Sequence, residues 1–185
     1  TLSIKVDSAT YNNTSSQVSA TSITNGYQIT LTPTTLVDGS HTVTVNVKDN
    51  DGNSATSATV SFTTDTVAPT LNVTNPATNG TYVSTAALNV TGTTSDSTSG
   101  TPTVTIKLND ADQGIVTVTN GAFSKSVTLS NGANTIVVTA TDKAGKVTTV
   151  TRTITLDTSS PVIASVSISP NPVGVGESYT VTIHI

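Results

Sequence analysis

The chain has no cysteine, no tryptophan and no methionine, and only 3% of its 185 residues are aromatic. The lack of cysteine excludes disulfides, a thiolate nucleophile and any zinc site built on sulfur. Because there is no tryptophan and the four tyrosines are scattered, we expect no flat aromatic platform for sugars. No apolar run approaches the roughly 20 residues of a membrane-spanning helix, so we expect no membrane span in this segment.

Ionisable side chains are also scarce. The seven Lys and Arg are spread singly along a chain of formal net charge −4, so no basic stripe is available and no nucleic-acid partner is expected. Acid, base or nucleophilic catalysis needs at least two reactive groups in one pocket. The chain has two His and a single Glu, Glu177. We therefore expect a protein that is not an enzyme.

Threonine, valine and isoleucine are abundant instead, and these residues favour strands over helices. The segment 42–47 alternates polar and apolar residues, which is typical of a half-buried strand. Turn dipeptides such as Asn25-Gly26 and Asn120-Gly121 separate similar segments. The predicted strands lie near 2–7, 17–23, 27–32, 42–47, 56–64, 71–74, 86–92, 103–108, 114–119, 123–129, 134–141, 146–156, 163–169 and 178–185. Short strands at this spacing predict an all-β sandwich or barrel.

Parts of the sequence repeat. The segment 38–43 resembles 131–136, and 48–53 resembles 141–146, so that Gly132 follows its counterpart Gly39 by 93 residues. A junction sequence beginning at Asp65 and reaching Pro69 is repeated from Asp157 to Pro161. Repeated turns and junctions indicate consecutive copies of one structural module.

These motifs resemble the bacterial immunoglobulin-like (Big-type) tandem repeat domains of microbial surface proteins, in which a glycine turn, a D-x-x-G hairpin and a D-T-x-x-P junction close each module. The resemblance implies an all-β fold of tandem immunoglobulin-like β-sandwich modules. It predicts a module lacking its first two strands over 1–66 and a complete module over 67–158. Residues 159–185 are then the first two strands, A and B, of a further module, or donor strands for a neighbouring copy.

Two interpretations of these ends stay open. In one, the chain is an excerpt of a longer tandem array whose neighbouring segments complete both ends. In the other, the tail of one copy adds its strands to the open module of the next copy and builds a filament head to tail. The expected partners are neighbouring modules or further copies of the same chain.

The resemblance implies a non-enzymatic structural module array of an extracellular stalk, adhesin or filament. The alternatives are accessory immunoglobulin-like domains of an extracellular carbohydrate-active enzyme, or specific adhesion through the loops. Little Lys and Glu together with much Thr, Ser, Asn and Gly favours an exported microbial protein. We therefore expect an extracellular or cell-surface location.

Aspartate is the only dense supply of metal ligands. The run from Asp49 to Asn53 does not fit an EF-hand loop, and we interpret it as a hairpin that Asp49 caps and in which Gly52 takes positive φ. The sequence predicts no cofactor, with calcium as the one alternative, and the candidate calcium ligands lie at the two module junctions. These candidates are Asp65, Asp96 and Asp142 at the first junction, and Asp157, Asp110 and Asp112 at the second. The alternative is that all six are solvated turn residues.

His41 opens a predicted strand at a place where related modules often carry a tyrosine that bonds back across the preceding corner. We therefore predict a structural histidine at position 41, not a metal ligand or a catalytic base.

Overall fold

The structure is a computed structural model that describes residues 1–33 and 35–185. Within that part of the chain all regular structure is β-strand, which confirms the predicted class. The strands are β1 (Leu2–Val6), β2 (Ala9–Asn12), β3 (Val18–Ile23), β4 (Gly26–Leu31), β5 (Gly39–Lys48), β6 (Ser54–Thr56), β7 (Val60–Thr64), β8 (Thr70–Asn75), β9 (Thr81–Val83), β10 (Ala87–Ser95), β11 (Thr103–Leu108), β12 (Ala111–Val116), β13 (Val118–Thr119), β14 (Ala122–Thr128), β15 (Gly132–Thr141), β16 (Val147–Leu156), β17 (Ser165–Ser169) and β18 (Thr180–His184).

The segment 67–158, here called module two, folds as a sandwich of two sheets. One sheet has the strand order β13-β14-β10-β8, and the other has the order β12-β11-β15-β16-β9. All neighbouring strands are antiparallel except β9, which runs parallel to β16. This pairing is that of an immunoglobulin-like β-sandwich, as predicted.

The core of module two lies between these sheets. Every second residue of β11 is buried, and Val104 and Ile106 are fully inaccessible to solvent. Ile136 and Val138 of the neighbouring strand β15 are buried on the same face of that sheet, with the same two-residue period. Phe123 of β14 packs close to the backbone of Gly92 in β10, where a side chain would collide with the ring. Burial of these apolar side chains is the main stabilising contribution to module two.

The segment 1–66, here called module one, is more open. Strands β2, β1, β5 and β6 form one sheet in that order, and β7 also pairs with β5. The hairpin of β3 and β4 is a separate two-stranded sheet. Among the described residues of module one, the buried apolar side chains are Ile4 and Val6. Of the valines on the inner face of β5, Val43 and Val45 are only half-buried and Val47 is exposed.

The segment 159–185, here called the tail, forms an antiparallel hairpin of β17 and β18. All residues of both strands are exposed, including Val166, Ile168, Val181 and Ile183. The antiparallel pairing of β17 with β18 repeats that of β8 with β10 in module two.

Some strand boundaries differ from the prediction. The predicted strand 56–64 is two strands, β6 and β7, because the Ser57 side chain interrupts the ladder by accepting the hydrogen bond of the Val45 N–H. The segment 114–119 is likewise divided between β12 and β13. Strands β2 and β9 were not predicted, since both are short and lack a clear alternating pattern. Among the described residues there is no helix with the length and apolar character needed to span a membrane.

Candidate metal centre at the module junction

Asp65 directly follows β7 at the end of module one. Its Oδ1 accepts a hydrogen bond from the Val67 N–H at 3.1 Å, which closes a short turn. The next residue is also fixed, because the Thr66 N–H and hydroxyl both donate to the Asp38 carboxylate at 2.9 Å. The Oδ2 of Asp65 is buried and has no hydrogen-bond partner among the described residues. One carboxylate oxygen of Asp65 therefore remains to be satisfied.

Asp142 follows β15 and begins the hairpin that leads into β16. Its Oδ1 accepts the Lys146 N–H at 2.8 Å, and Gly145 takes a φ of 81° that closes the turn. The residue is 7% exposed. Its Oδ2 is buried without a hydrogen-bond partner in the described part of the structure. One carboxylate oxygen of Asp142 therefore stabilises the turn, and the other remains available to a ligand.

Asp96 follows β10, in the loop that leads to β11. Its Oδ1 accepts hydrogen bonds from the Ser99 N–H at 2.7 Å, the Thr98 N–H at 2.8 Å and the Ser99 hydroxyl at 3.0 Å. These donors, the Ser99 N–H first, lower the pKa of Asp96 below its ordinary value. Asp96 is therefore negatively charged at neutral pH.

The structure brings these three carboxylates together. One oxygen from each of Asp65, Asp96 and Asp142 lies within 4.8 Å of the other two. Asp65 borders a cleft of about 340 Å³ whose lining also includes Thr63, Thr98, Ser99, Lys143 and Ala144, the neighbours in sequence of Asp96 and Asp142 among them. Carboxylates at this separation repel one another, and the unsatisfied oxygens lack the bonds that water would supply. A hard cation relieves both costs, because it binds carboxylate, hydroxyl and carbonyl oxygens.

The three residues predicted at the second junction are not grouped in this way. Asp157 accepts the Ser159 N–H at 2.9 Å, which repeats the turn at Asp65. Asp112 accepts the Gly114 N–H at 2.7 Å, and Asp110 has a φ of 66° in the turn between β11 and β12. Within residues 1–33 and 35–185, no cluster of three possible ligands includes any of them. The tail that follows Asp157 contains no aspartate that could take the places of Asp96 and Asp142.

A second polar centre lies at the corner where β5 begins. His41 is 5% exposed, and its Nδ1 lies 2.7 Å from Oδ2 of Asp7. Its Nε2 lies 2.8 Å from the Val37 carbonyl oxygen and 2.9 Å from the Thr64 hydroxyl. His41 therefore bonds back across the preceding corner, as predicted. Asp7 was not predicted from the sequence. Its counterpart in the repeat is Asn109, and the two residues act alike: the Thr42 N–H donates to Asp7, and the Thr135 N–H donates to Asn109.

Comparisons with known proteins agree with this architecture. Residues 1–66 match the family described as bacterial Ig-like domain, and residues 69–158 match the family described as glucodextranase, domain B. None of the curated proteins matches the chain.

Several solved structures also align with the chain. The fibronectin(III)-like modules of CbhA from Clostridium thermocellum align with 84% of this chain and 76% of their own, at 18% identity and a TM-score of 0.52. A tetra-tandem repeat from the extending region of a large adhesion protein aligns with 98% of this chain and 55% of its own, at 20% identity and a TM-score of 0.42. A 1.5-MDa bacterial ice-binding adhesin aligns with 84% of this chain and 53% of its own, at 21% identity and a TM-score of 0.31. The two matched segments adjoin, and together they fit immunoglobulin-like repeat domains of the bacterial type.

Proposed function

We propose that this chain is a non-enzymatic structural segment of an extracellular module array, such as an adhesin or a stalk, and that a calcium ion stiffens its module junction. The observation that carries the proposal is the convergence of Asp65 from module one with Asp96 and Asp142 from module two. A cation held by both modules opposes hinge motion between them, because bending separates its ligands.

The chemistry of the ligand set favours calcium over a transition metal. All three side chains offer hard carboxylate oxygens, and no His or Cys is among the described residues of the cluster or of the cleft that Asp65 borders. Calcium takes six to eight oxygen ligands in flexible geometry, so waters and nearby hydroxyls can complete its shell. Thr63 and Ser99 line the cleft and carry such hydroxyls.

Calorimetric titration of the chain with calcium chloride tests the site. Asp142→Asn retains the Oδ1 that accepts the Lys146 N–H but removes a charge from the cluster, so we expect the heat of binding to be lost or strongly reduced. Asp112→Asn is the matched control, because Asp112 lies outside the cluster and should bind as the unaltered chain does. In small-angle scattering, chelation should broaden the distance distribution of the calcium-loaded chain. Absence of binding heat at millimolar calcium, with scattering unchanged by chelation, would disprove the junction site.

Neighbouring modules, or further copies of the chain, are the proposed partners of module one. An apolar groove of about 490 Å³ lies between its sheet and the β3–β4 hairpin. Its lining residues are Leu2, Asn13, Ala20, Tyr27, Ile29, Val45 and Val47. In module two, strand β10 pairs with β14 and strand β8 pairs with β10, so that both strands cover the corresponding face. We propose that an A–B strand pair like β17–β18 covers the groove, with its alternate apolar residues facing inward.

Light scattering can distinguish whether that strand pair comes from another copy of the chain or from an adjoining module. If copies exchange strands, the chain associates with increasing concentration, removal of residues 161–185 abolishes association, and a peptide of that sequence blocks it. If the pair comes from an adjoining module, the chain remains a monomer at all concentrations and the peptide still binds module one. A monomer that does not bind the peptide contradicts both versions.

The second candidate function is an accessory module of an extracellular carbohydrate-active enzyme. It is favoured by the match of residues 69–158 to glucodextranase, domain B. The parent open reading frame tests it, because this function requires a catalytic domain on the same polypeptide. A parent composed only of immunoglobulin-like modules and a surface anchor would exclude the enzyme interpretation.

A further inference from the structure

The same corner of the fold is built with different chemistry in the two modules. His41 at the start of β5 and Asn134 at the start of β15 are repeat counterparts, and both are buried. Asn134 accepts hydrogen bonds from the Asn109 side chain at 3.0 Å and from the Ser130 N–H at 2.9 Å. It donates to the Ser130 carbonyl at 2.7 Å. All of these groups are amides or backbone groups that do not titrate, so the hydrogen bonds at this corner of module two do not depend on pH.

The corner of module one contains ionisable groups in place of those amides. Both ring nitrogens of His41 face acceptors, Nδ1 the Asp7 carboxylate and Nε2 the Val37 carbonyl. A neutral imidazole has one N–H and can satisfy only one of these acceptors, whereas the imidazolium donates to both. The arrangement of acceptors therefore fits the protonated ring.

Thr64 provides an alternative partner when the ring is neutral. Its hydroxyl lies 2.9 Å from Nε2 of His41 and 2.5 Å from the Val37 carbonyl oxygen. With the remaining proton on Nδ1, the Thr64 hydroxyl donates to Nε2 and no longer to Val37. The Val37 carbonyl then loses both of its donors, and the contact between the loop before β5 and strand β7 is weakened.

Three neighbouring elements present groups to His41, and among these groups Asp7 is the charged partner of the ring. The turn between β1 and β2 presents Asp7, whose Oδ1 also accepts the Thr42 N–H at 2.9 Å. The loop before β5 contains Asp38, but that carboxylate accepts from Thr66. Strand β7 presents Thr64 and the ring of Phe62, whose centre lies 5.4 Å from the imidazole centre, and neither titrates in this range.

We propose that His41, Asp7 and Thr64 form a proton-controlled clamp in module one. When His41 is protonated, the clamp holds the loop before β5 against strand β7, and when His41 is neutral this contact is loosened. Module two, with Asn134 and Asn109 in the corresponding places, is not affected. A change of pH across the neutral range then alters one module of the array and leaves its neighbour as it was.

The direction of the effect follows from the two pKa shifts. The hydrogen bond to Asp7 raises the pKa of His41 above its ordinary 6.5, so the stabilisation is complete below that value and is lost as pH rises through the raised pKa. The bond to His41 lowers the pKa of Asp7 below its ordinary 3.8, so its contribution is present above that value and is lost as pH falls through the lowered pKa. The clamp is fully formed between about pH 3.8 and 6.5.

Nuclear magnetic resonance on the full chain tests the clamp by following the ring signals of His41 as the pH changes. We expect the pKa of His41 to lie above its ordinary value of 6.5, because its ring bonds to the Asp7 carboxylate. Protection from hydrogen exchange, corrected for the intrinsic rate, should fall in the first residues of β5 as pH rises, by about tenfold for each unit by which the pKa of His41 is raised. The corresponding residues of β15 should show no such change.

Two variants keep the test informative. Asp7→Asn should lower the pKa of His41, while the double variant His41→Asn with Asp7→Asn copies the neutral pair of module two and should make protection in β5 independent of pH. If the double variant fails to fold, the titration of the unaltered chain still decides. A pKa of His41 at or below its ordinary 6.5, or unchanged protection in β5 while His41 titrates, would overturn the proposal.

Discussion

Modules one and two have the same turn chemistry but very different cores. In both, an aspartate after a long strand caps a hairpin by accepting a backbone N–H four residues later, Asp49 from Asn53 and Asp142 from Lys146. The buried core cluster, however, lies within module two. Val45 and Val138 occupy corresponding registers, opposite Ile4 and Ile106 respectively, yet Val138 is fully buried and Val45 is only half-buried.

The hairpins therefore form in both modules, whether or not further strands close the sandwich around the core. Strands β8 and β10 complete one sheet of module two and cover the inner face of the other. Module one has the β3–β4 hairpin on that side, and its groove remains accessible. Hydrophobic stabilisation depends on the area removed from water, so the closing strands determine how much each core residue contributes.

Gly92→Ala should have the largest effect, because it acts on the closing strand. A Cβ at this position would lie 2.3 Å from the Asn72 carbonyl oxygen and 2.5 Å from the Phe123 ring, at the register shift between β10 and β8. We expect a loss of about 3 kcal/mol in the unfolding free energy of module two, measured by urea denaturation. Gly26→Ala is the control, since a Cβ at Gly26 has open space around it. A cost below about 1 kcal/mol for Gly92→Ala would show that β8 and β10 separate easily.

A matched pair of core truncations measures the difference between the modules directly. Val138→Ala removes two methyl groups from a fully buried site, and we expect a loss of about 2 kcal/mol. Val45→Ala removes the same atoms from a site that is half exposed, and should cost less than about 1 kcal/mol. Native-state hydrogen exchange resolved by module is the measurement. Equal costs would mean that the groove of module one is covered in solution.

The smallest effect should be the same in both modules. Gly52 and Gly145 have φ values of 96° and 81° in equivalent hairpins, a conformation that costs an alanine about 1 kcal/mol. Gly52→Ala and Gly145→Ala should therefore each destabilise their own hairpin by about this amount, as measured by local hydrogen exchange. A difference larger than about 0.5 kcal/mol between them would mean that hairpin stability depends on the closure of the sandwich.

Much of the candidate metal site was accessible from the sequence. The repeat placed Asp65 at the end of one module, and strand order placed Asp96 and Asp142 on the loops at the facing end of the next. The same reasoning grouped Asp157 with Asp110 and Asp112, which the structure does not bring together. Asp157 does repeat the turn of Asp65, but the predicted grouping took its partners from its own module instead of from a following one.

The sequence by itself determined the class of fold, the positions of most strands and the repeated turns, because alternation, glycine and asparagine turns and capping aspartates act over a few neighbouring residues. Only the tertiary structure decided which oxygens of Asp65 and Asp142 remain unsatisfied, and that Asp7 rather than another carboxylate bonds to His41. These properties depend on distances between residues far apart in the chain, and on burial that strands from a different part of the fold create. Neither these distances nor this burial can be predicted from the spacing of residues along the sequence.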